Sequence, residues 1–168
     1  MPAGTLVSVE EYLSTSYDPD RDYVDGEVLE RNWGEQEHSR LQGVLFAYLF
    51  NREKPWGIHV FPEQRLQVTA TRFRVPDICV IPGPRPKEQI FTRPPLICIE
   101  ILSPEDTMTR MQERIEDYLR FGVPHVWVLD PRTKRAYDYT IAGMREAKDI
   151  LRSGHSEIAV PLAEIFNQ

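Results

Sequence analysis

The order of predicted elements points to an α+β domain with a central mixed β-sheet flanked by helices. Two observations carry this. Two helical stretches alternate with runs of strand-like segments, and one strand is apolar almost throughout, the mark of burial on both faces. At 168 residues, 41% hydrophobic and 27% charged, the chain reads as a single domain over 1–168, and its composition excludes disorder along its whole length.

The elements follow in chain order. Ser8-Val-Glu-Glu11 is a capping box that starts a short helix near residue 9, fading by the Ser/Thr stretch at 14–16. Asp25-Gly26 is a hairpin turn signal between two short strands. Leu41, Val44, Leu45, Tyr48 and Leu49 recur at helical spacing and predict a helix over 36–52, closed by Lys54-Pro-Trp-Gly57. Strands are predicted at 58–61, 64–69, 74–81 and 94–102, with a proline-rich loop at 82–86. A second helix is predicted over 105–121, between Pro104 and Gly122. Strands at 125–130 and 135–141 and a short amphipathic end near 161–166 complete the chain.

Charge and cysteine content narrow the function. The net charge of −6 makes non-specific binding to nucleic acid weak, because phosphate attraction needs a positive field. Within that acidic chain, residues 65–93 carry six Lys/Arg against two Asp/Glu. This basic block (Arg65, Arg72, Arg74, Arg85, Lys87, Arg93) is either solvated surface or a phosphate-facing rim. Cys79 and Cys98 lie in apolar runs and are expected to be reduced core residues. With no apolar run of membrane-spanning length and no leader pattern, the sequence predicts a cytoplasmic protein that uses no membrane. The phosphate-binding, dinucleotide-binding, serine-hydrolase and zinc-protease motifs are all missing, which argues against those chemistries.

Three polar residues stand where apolar ones are expected. Glu100 sits inside Pro94-Pro-Leu-Ile-Cys-Ile-Glu-Ile-Leu102, and a buried carboxylate needs a partner, a metal or a proton. Asp77 has a like position in Arg74-Val-Pro-Asp-Ile-Cys-Val-Ile81. If the two strands pair antiparallel with Asp77 opposite Glu100, Cys79 falls opposite Cys98 and all four side chains share a face. Two carboxylates facing each other need a cation or proton between them, and hard oxygen ligands suit Mg²⁺ better than zinc. A structural ion pair is the alternative. On the second helix Arg114 lies about 60° from Met111 and about 40° from Tyr118, at the edge of the stripe Met108, Met111, Ile115, Tyr118 and Leu119. There it either meets Glu100 or snorkels to water. His38 and Glu27 are weaker candidates, while His59, His125 and His155 show no partner spacing.

Taken in order, these residues resemble a known family. Tyr23-Val-Asp-Gly-Glu27, His38, Arg74-Val-Pro-Asp77, Pro94-Pro-Leu-Ile-Cys-Ile-Glu-Ile-Leu-Ser-Pro104 and Tyr118-Leu-Arg-Phe-Gly-Val-Pro-His-Val-Trp-Val-Leu-Asp-Pro131 look like the bacterial Uma-two family. That family belongs with the restriction-endonuclease-like, PD-(D/E)xK proteins, and the resemblance runs over about residues 6–165. It implies a metal-dependent endonuclease acting on DNA, with Mg²⁺ or Mn²⁺ held by Asp77, Glu100 and the backbone carbonyl of Ile101.

One position departs from the superfamily pattern. The usual lysine two residues after the Glu is replaced by Leu102, and the family's lysine position on the following helix is Arg114 here. Arginine can stabilise developing charge but cannot serve as a base, so water activation would fall to the metal or to His38 or Glu27. The alternative is a non-catalytic binding or interaction module on the same scaffold, in which Arg114 only neutralises the carboxylates. Exposed apolar edges leave a homodimer open.

Overall fold

The computed structural model describes residues 4–31, 35–154 and 157–166. Near the N-terminus, α1 (Val9–Leu13) is capped as predicted, with Ser8 Oγ accepting from Glu11 N at 3.1 Å. Strands β1 (Asp22–Val24) and β2 (Glu27–Leu29) form the expected hairpin. Its two turn residues, Asp25 and Gly26, both sit at positive φ (50° and 99°), as a type I′ turn requires.

Helix α2 (Gln36–Phe50) follows, burying Leu41, Leu45 and Leu49. Lys54 and Pro55 do not lie in a loop. They belong to a further turn of helix, α3 (Glu53–Trp56), closed by Gly57 in the left-handed conformation. Proline is tolerated there because the N–H groups of a first helical turn have no intrahelical acceptor.

The chain then enters β3 (Ile58–Pro62), β4 (Leu66–Thr69), β5 (Arg72–Arg74), β6 (Ile78–Pro82) and β7 (Ile97–Ile101). The strand predicted at 74–81 is in fact two, in different sheets. Val75-Pro76-Asp77 breaks it, since Pro76 has no N–H to extend a ladder. Pro94 and Pro95 delay the start of β7 for the same reason.

Helix α4 (Met108–Phe121) begins three residues later than predicted, because Thr107 is the N-cap and its Oγ1 accepts from Arg110 N. Met108 is therefore in the exposed first turn and not in the apolar stripe. Strands β8 (His125–Asp130), β9 (Arg135–Thr140) and β10 (Gly143–Ala147) complete the main sheet, and β11 (Ile150–Arg152) pairs with β12 (Ala159–Pro161) before α5 (Leu162–Phe166). The hairpin partner β10 and the β11–β12 pair had no clear apolar alternation to announce them.

The six-stranded sheet runs β10-β9-β8-β7-β6-β3, and only β7–β8 is parallel within it, so the sheet is mixed as expected. A parallel pair needs a crossover, which α4 supplies. Helices α2 and α5 cover one face against Ile78, Val80, Ile97, Ile99 and Trp127. Helix α4 covers the other with Met111, Ile115 and Tyr118 against Cys79, Cys98, Val126 and Val128. All five residues of β7 are buried as a result. A smaller sheet, β2-β1-β5-β4, lies beside the main one. No helix among the described residues is long and apolar enough to cross a membrane.

Candidate active site

The β6–β7 register is the one the sequence implied: Ile78 faces Ile99, Cys79 faces Cys98 and Val80 faces Ile97. Extended by one residue, it sets Asp77 opposite Glu100. Both cysteines are free and buried, so their place is in the core. Asp77 stands at the bend just before β6, and Glu100 projects toward α4.

Both carboxylates are buried, and both border a cleft of about 130 Å³. His38, Ile101, Arg114, Arg31 and Glu63 also line it, with Ser103 and Asp106, whose Oδ2 accepts from Ser103 N at 2.8 Å.

Asp77 is held on each oxygen. Its Oδ1 accepts from Arg31 NH2 at 2.6 Å, and its Oδ2 accepts from the backbone N–H of Ile101 at 2.7 Å, with His38 Nε2 at 3.3 Å. Its own carbonyl accepts from Gln42 Nε2 and Glu63 N, which pins the bend to α2 and to the end of β3. Burial pushes the carboxyl up, but the His38 hydrogen bond and the Arg31 charge outweigh it and hold Asp77 below its ordinary range. The same pairing raises His38: burial disfavours its charge, and Asp77 more than compensates.

Glu100 is the opposite case. Its Oε1 accepts from Tyr118 OH at 2.6 Å, and its Oε2 faces Arg114 NH1 at 3.3 Å. Burial nonetheless dominates and pushes its pKa up to about 7, with Arg114 pulling the other way and Asp77 adding to the rise. Two neighbouring carboxylates with pKa values driven apart are a common active-site signature.

Arg114 therefore meets Glu100, and it does not snorkel. Its Nε lies 3.5 Å from Asp22 Oδ2. Asp22 in turn takes Arg74 NH1 at 3.1 Å and Val75 N at 3.0 Å, and Arg74 reaches Asp117 at 2.7 Å. This run of alternating charge fixes Arg114 over Glu100.

The basic block does not rim the cleft as one body. Arg65 pairs with Asp20, Arg72 with Asp25 and Asp117, and Arg74 with Asp22 and Asp117. Arg85, Lys87 and Arg93 border a separate groove with Ile81 and Pro82, at the opposite end of β6 from Asp77.

Glu27 is exposed on β2 and does not line the cleft. His59 Nδ1 donates to the Gly83 carbonyl, and His125 pairs with Asp138 at 3.0 Å, a contact its spacing did not reveal. His155 lies outside the described residues.

Arg31 was not foreseen, and nothing local to it gives a signal. Tyr118 was assigned to the apolar stripe, although its position one helical turn after Arg114 could have marked it as a second partner for Glu100.

Among the described residues no group of three or more His, Cys, Asp or Glu is arranged to hold a metal ion. Mg²⁺ takes one or two protein carboxylates and keeps several waters. Two hard carboxylates beside an open cleft match that donor chemistry. Arg31 and Arg114 balance their charge in the present arrangement.

Comparison with known proteins places the chain in a family and gives its fold a counterpart. The family model described as "Putative restriction endonuclease" matches residues 9–163, which contain every residue of the cleft named above. The chain belongs to the Uma-two family. The Uma-two match spans both sheets and helices α2 and α4, which flank the larger one. A solved structure described as a "putative nuclease" from Anabaena variabilis superposes with a TM-score of 0.83 at 23% identity. The alignment covers 96% of this chain and 98% of that one, and at this identity it establishes the fold alone. No curated protein matches the sequence.

Proposed function

We propose that this Uma-two protein is a divalent-metal-dependent endonuclease that hydrolyses DNA phosphodiester bonds. The observation that carries the reading is the pair Asp77 and Glu100, buried at the end of adjacent strands yet bordering an open cleft. Burying two carboxylates there is costly unless the arrangement is used. Asp77 and Glu100, with the backbone of Ile101, would hold Mg²⁺ or Mn²⁺. Such an ion supplies Lewis acidity and a lowered pKa for bound water.

The chain's own residues have separable tasks. Asp77, kept ionised by His38, Arg31 and Ile101 N–H, offers a permanent anionic ligand. Glu100 is the carboxylate whose charge is conditional on a nearby cation. Arg114 is fully charged and fixed by Asp22 and Glu100, so its role is stabilising negative charge on the phosphoryl group, not accepting a proton. His38 is within reach of Asp77 and orients it.

A second reading has its own observation. Every oxygen of Asp77 and Glu100 already has a protein partner, as expected of a structural ion network in a non-catalytic interaction module. A nuclease assay on plasmid, linear and single-stranded DNA with Mg²⁺ or Mn²⁺ separates the two. Cutting by the wild type that vanishes in Asp77→Ala supports the nuclease. Equal cutting by both identifies a contaminant, and silence from both favours the module. Gain of activity in Arg114→Lys would then locate the deficit at that side chain.

A further inference from the structure

Asp77 already has a cation on one of its two oxygens. Arg31 follows β2 by two residues, and its side chain is 11% exposed. NH2 lies 2.6 Å from Asp77 Oδ1. NH1 lies 3.6 Å from Glu63 Oε1, too far for a hydrogen bond, and is buried without a hydrogen-bond partner. The other oxygen, Oδ2, is taken by Ile101 N–H and His38. Oδ1 is thus the oxygen with a single donor, and a cation that takes it must displace Arg31.

The two arginines of the cleft are held differently. Arg114 projects from the middle of α4 and is tied to both Glu100 and Asp22, whose own side chain is buried and braced by Arg74. Arg31 projects from the segment after a two-stranded hairpin and is tied to Asp77 and to the half-exposed Glu63. With Arg31 and Arg114 against Asp77 and Glu100, the formal charge of the four is zero. A divalent ion would add two positive charges at close range, and a metal bound through Oδ1 needs the position that Arg31 NH2 holds at 2.6 Å.

We propose that Arg31 is a displaceable counter-cation of Asp77. It keeps the carboxylate ionised and hydrogen-bonded in the protein without metal, and it competes with a divalent cation for Oδ1. Arg31 thereby sets the metal affinity of the site. The inference rests on the metal-site reading above and names a residue that reading does not use.

The test titrates Mn²⁺ alone into the full chain by calorimetry, for wild type, Arg31→Gln, Arg31→Lys and the control Asp77→Asn. Arg31→Gln is expected to bind Mn²⁺ about tenfold more tightly or better, the scale of one charge-assisted hydrogen bond lost from the competitor. Arg31→Lys keeps the competing charge and should stay near wild type. Melting in EDTA should show Arg31→Gln less stable than wild type, with a larger rise in Tm on adding Mn²⁺. If Arg31→Gln does not fold in EDTA, circular dichroism with and without Mn²⁺ decides: recovery of the fold by Mn²⁺ supports the proposal, and failure to recover overturns it. Equal or weaker Mn²⁺ binding by Arg31→Gln, with binding still abolished in Asp77→Asn, overturns the role of Arg31 and leaves the metal site standing. No Mn²⁺ uptake by wild type or Arg31→Gln overturns both.

Discussion

Glu100 makes the stability of the metal-free protein depend on pH in a direction opposite to that of an ordinary paired carboxylate. The perturbation is Glu100→Gln, which keeps the side-chain shape and an acceptor for Tyr118 while removing the charge. In the folded protein Glu100 is 1% exposed, and burial lifts its pKa from 4.5 to about 7. Between those values the unfolded chain has released the Glu100 proton and the folded chain still holds it. Folding therefore takes up a proton, and stability falls as pH rises through this window. A displacement of that size corresponds to a loss of about 3 kcal/mol between pH ~4.5 and pH ~7. Asp77, lowered below 3.8, contributes stability that is fully present above that value and lost only at more acid pH, outside this window. His38, raised above 6.5, adds stability that is present below that value and lost as pH rises through its folded pKa. Both groups remain in the Gln variant, where His38 keeps the part of its rise that comes from Asp77. The assay is urea unfolding in EDTA at pH steps from 4.5 to 7.5, with wild type and Glu100→Gln compared at each pH. Wild type should lose roughly 3 kcal/mol relative to the variant across the series. A difference that stays constant, or one that grows in favour of wild type at high pH, would refute the burial argument.

Other consequences are more local. Tyr118→Phe removes a 2.6 Å hydrogen bond to Glu100 and should cost about 1.5–3 kcal/mol above pH 7, where the carboxylate is charged, measured by chemical denaturation. Asp117→Ala leaves the 2%-exposed Arg74 without its 2.7 Å partner and should destabilise by about 3–5 kcal/mol, whereas an exposed pair such as Glu116–Arg120 should give under ~1 kcal/mol. Gly122→Ala places a Cβ 3.3 Å from Pro94 at φ +110° and should lower Tm by an amount equivalent to roughly 1–3 kcal/mol. In the nuclease assay, Asp77→Ala should abolish metal-dependent cutting, while Glu27→Ala, which alters an exposed residue off the cleft, should leave it unchanged.

Much of the framework was legible in the chain itself, because it rests on local chemistry. The capping box at Ser8, the Asp25-Gly26 turn and the helical stripe of Leu41, Leu45 and Leu49 each declare themselves within a few residues. Strand alternation and one antiparallel pairing were enough to oppose Cys79 to Cys98 and bring Asp77 and Glu100 together. Helical geometry put Arg114 at the edge of the apolar stripe, and the folded structure decided that it meets Glu100.

Tertiary structure alone decided what surrounds that pair. Arg31 reaches Asp77 across 46 positions, and Arg74 reaches Asp22 across 52 and Asp117 across 43. No periodicity of 2 or 3.6 residues encodes such a contact. The split at Pro76 sent Arg72 and Arg74 into a different sheet from β6, where buried aspartates took up charge that composition alone had offered to a phosphate. The carboxylates were written in local sequence because burial demands an apolar strand around them. Their counter-charges were not, because a guanidinium on a long stem can serve a carboxylate from any element that folds within reach.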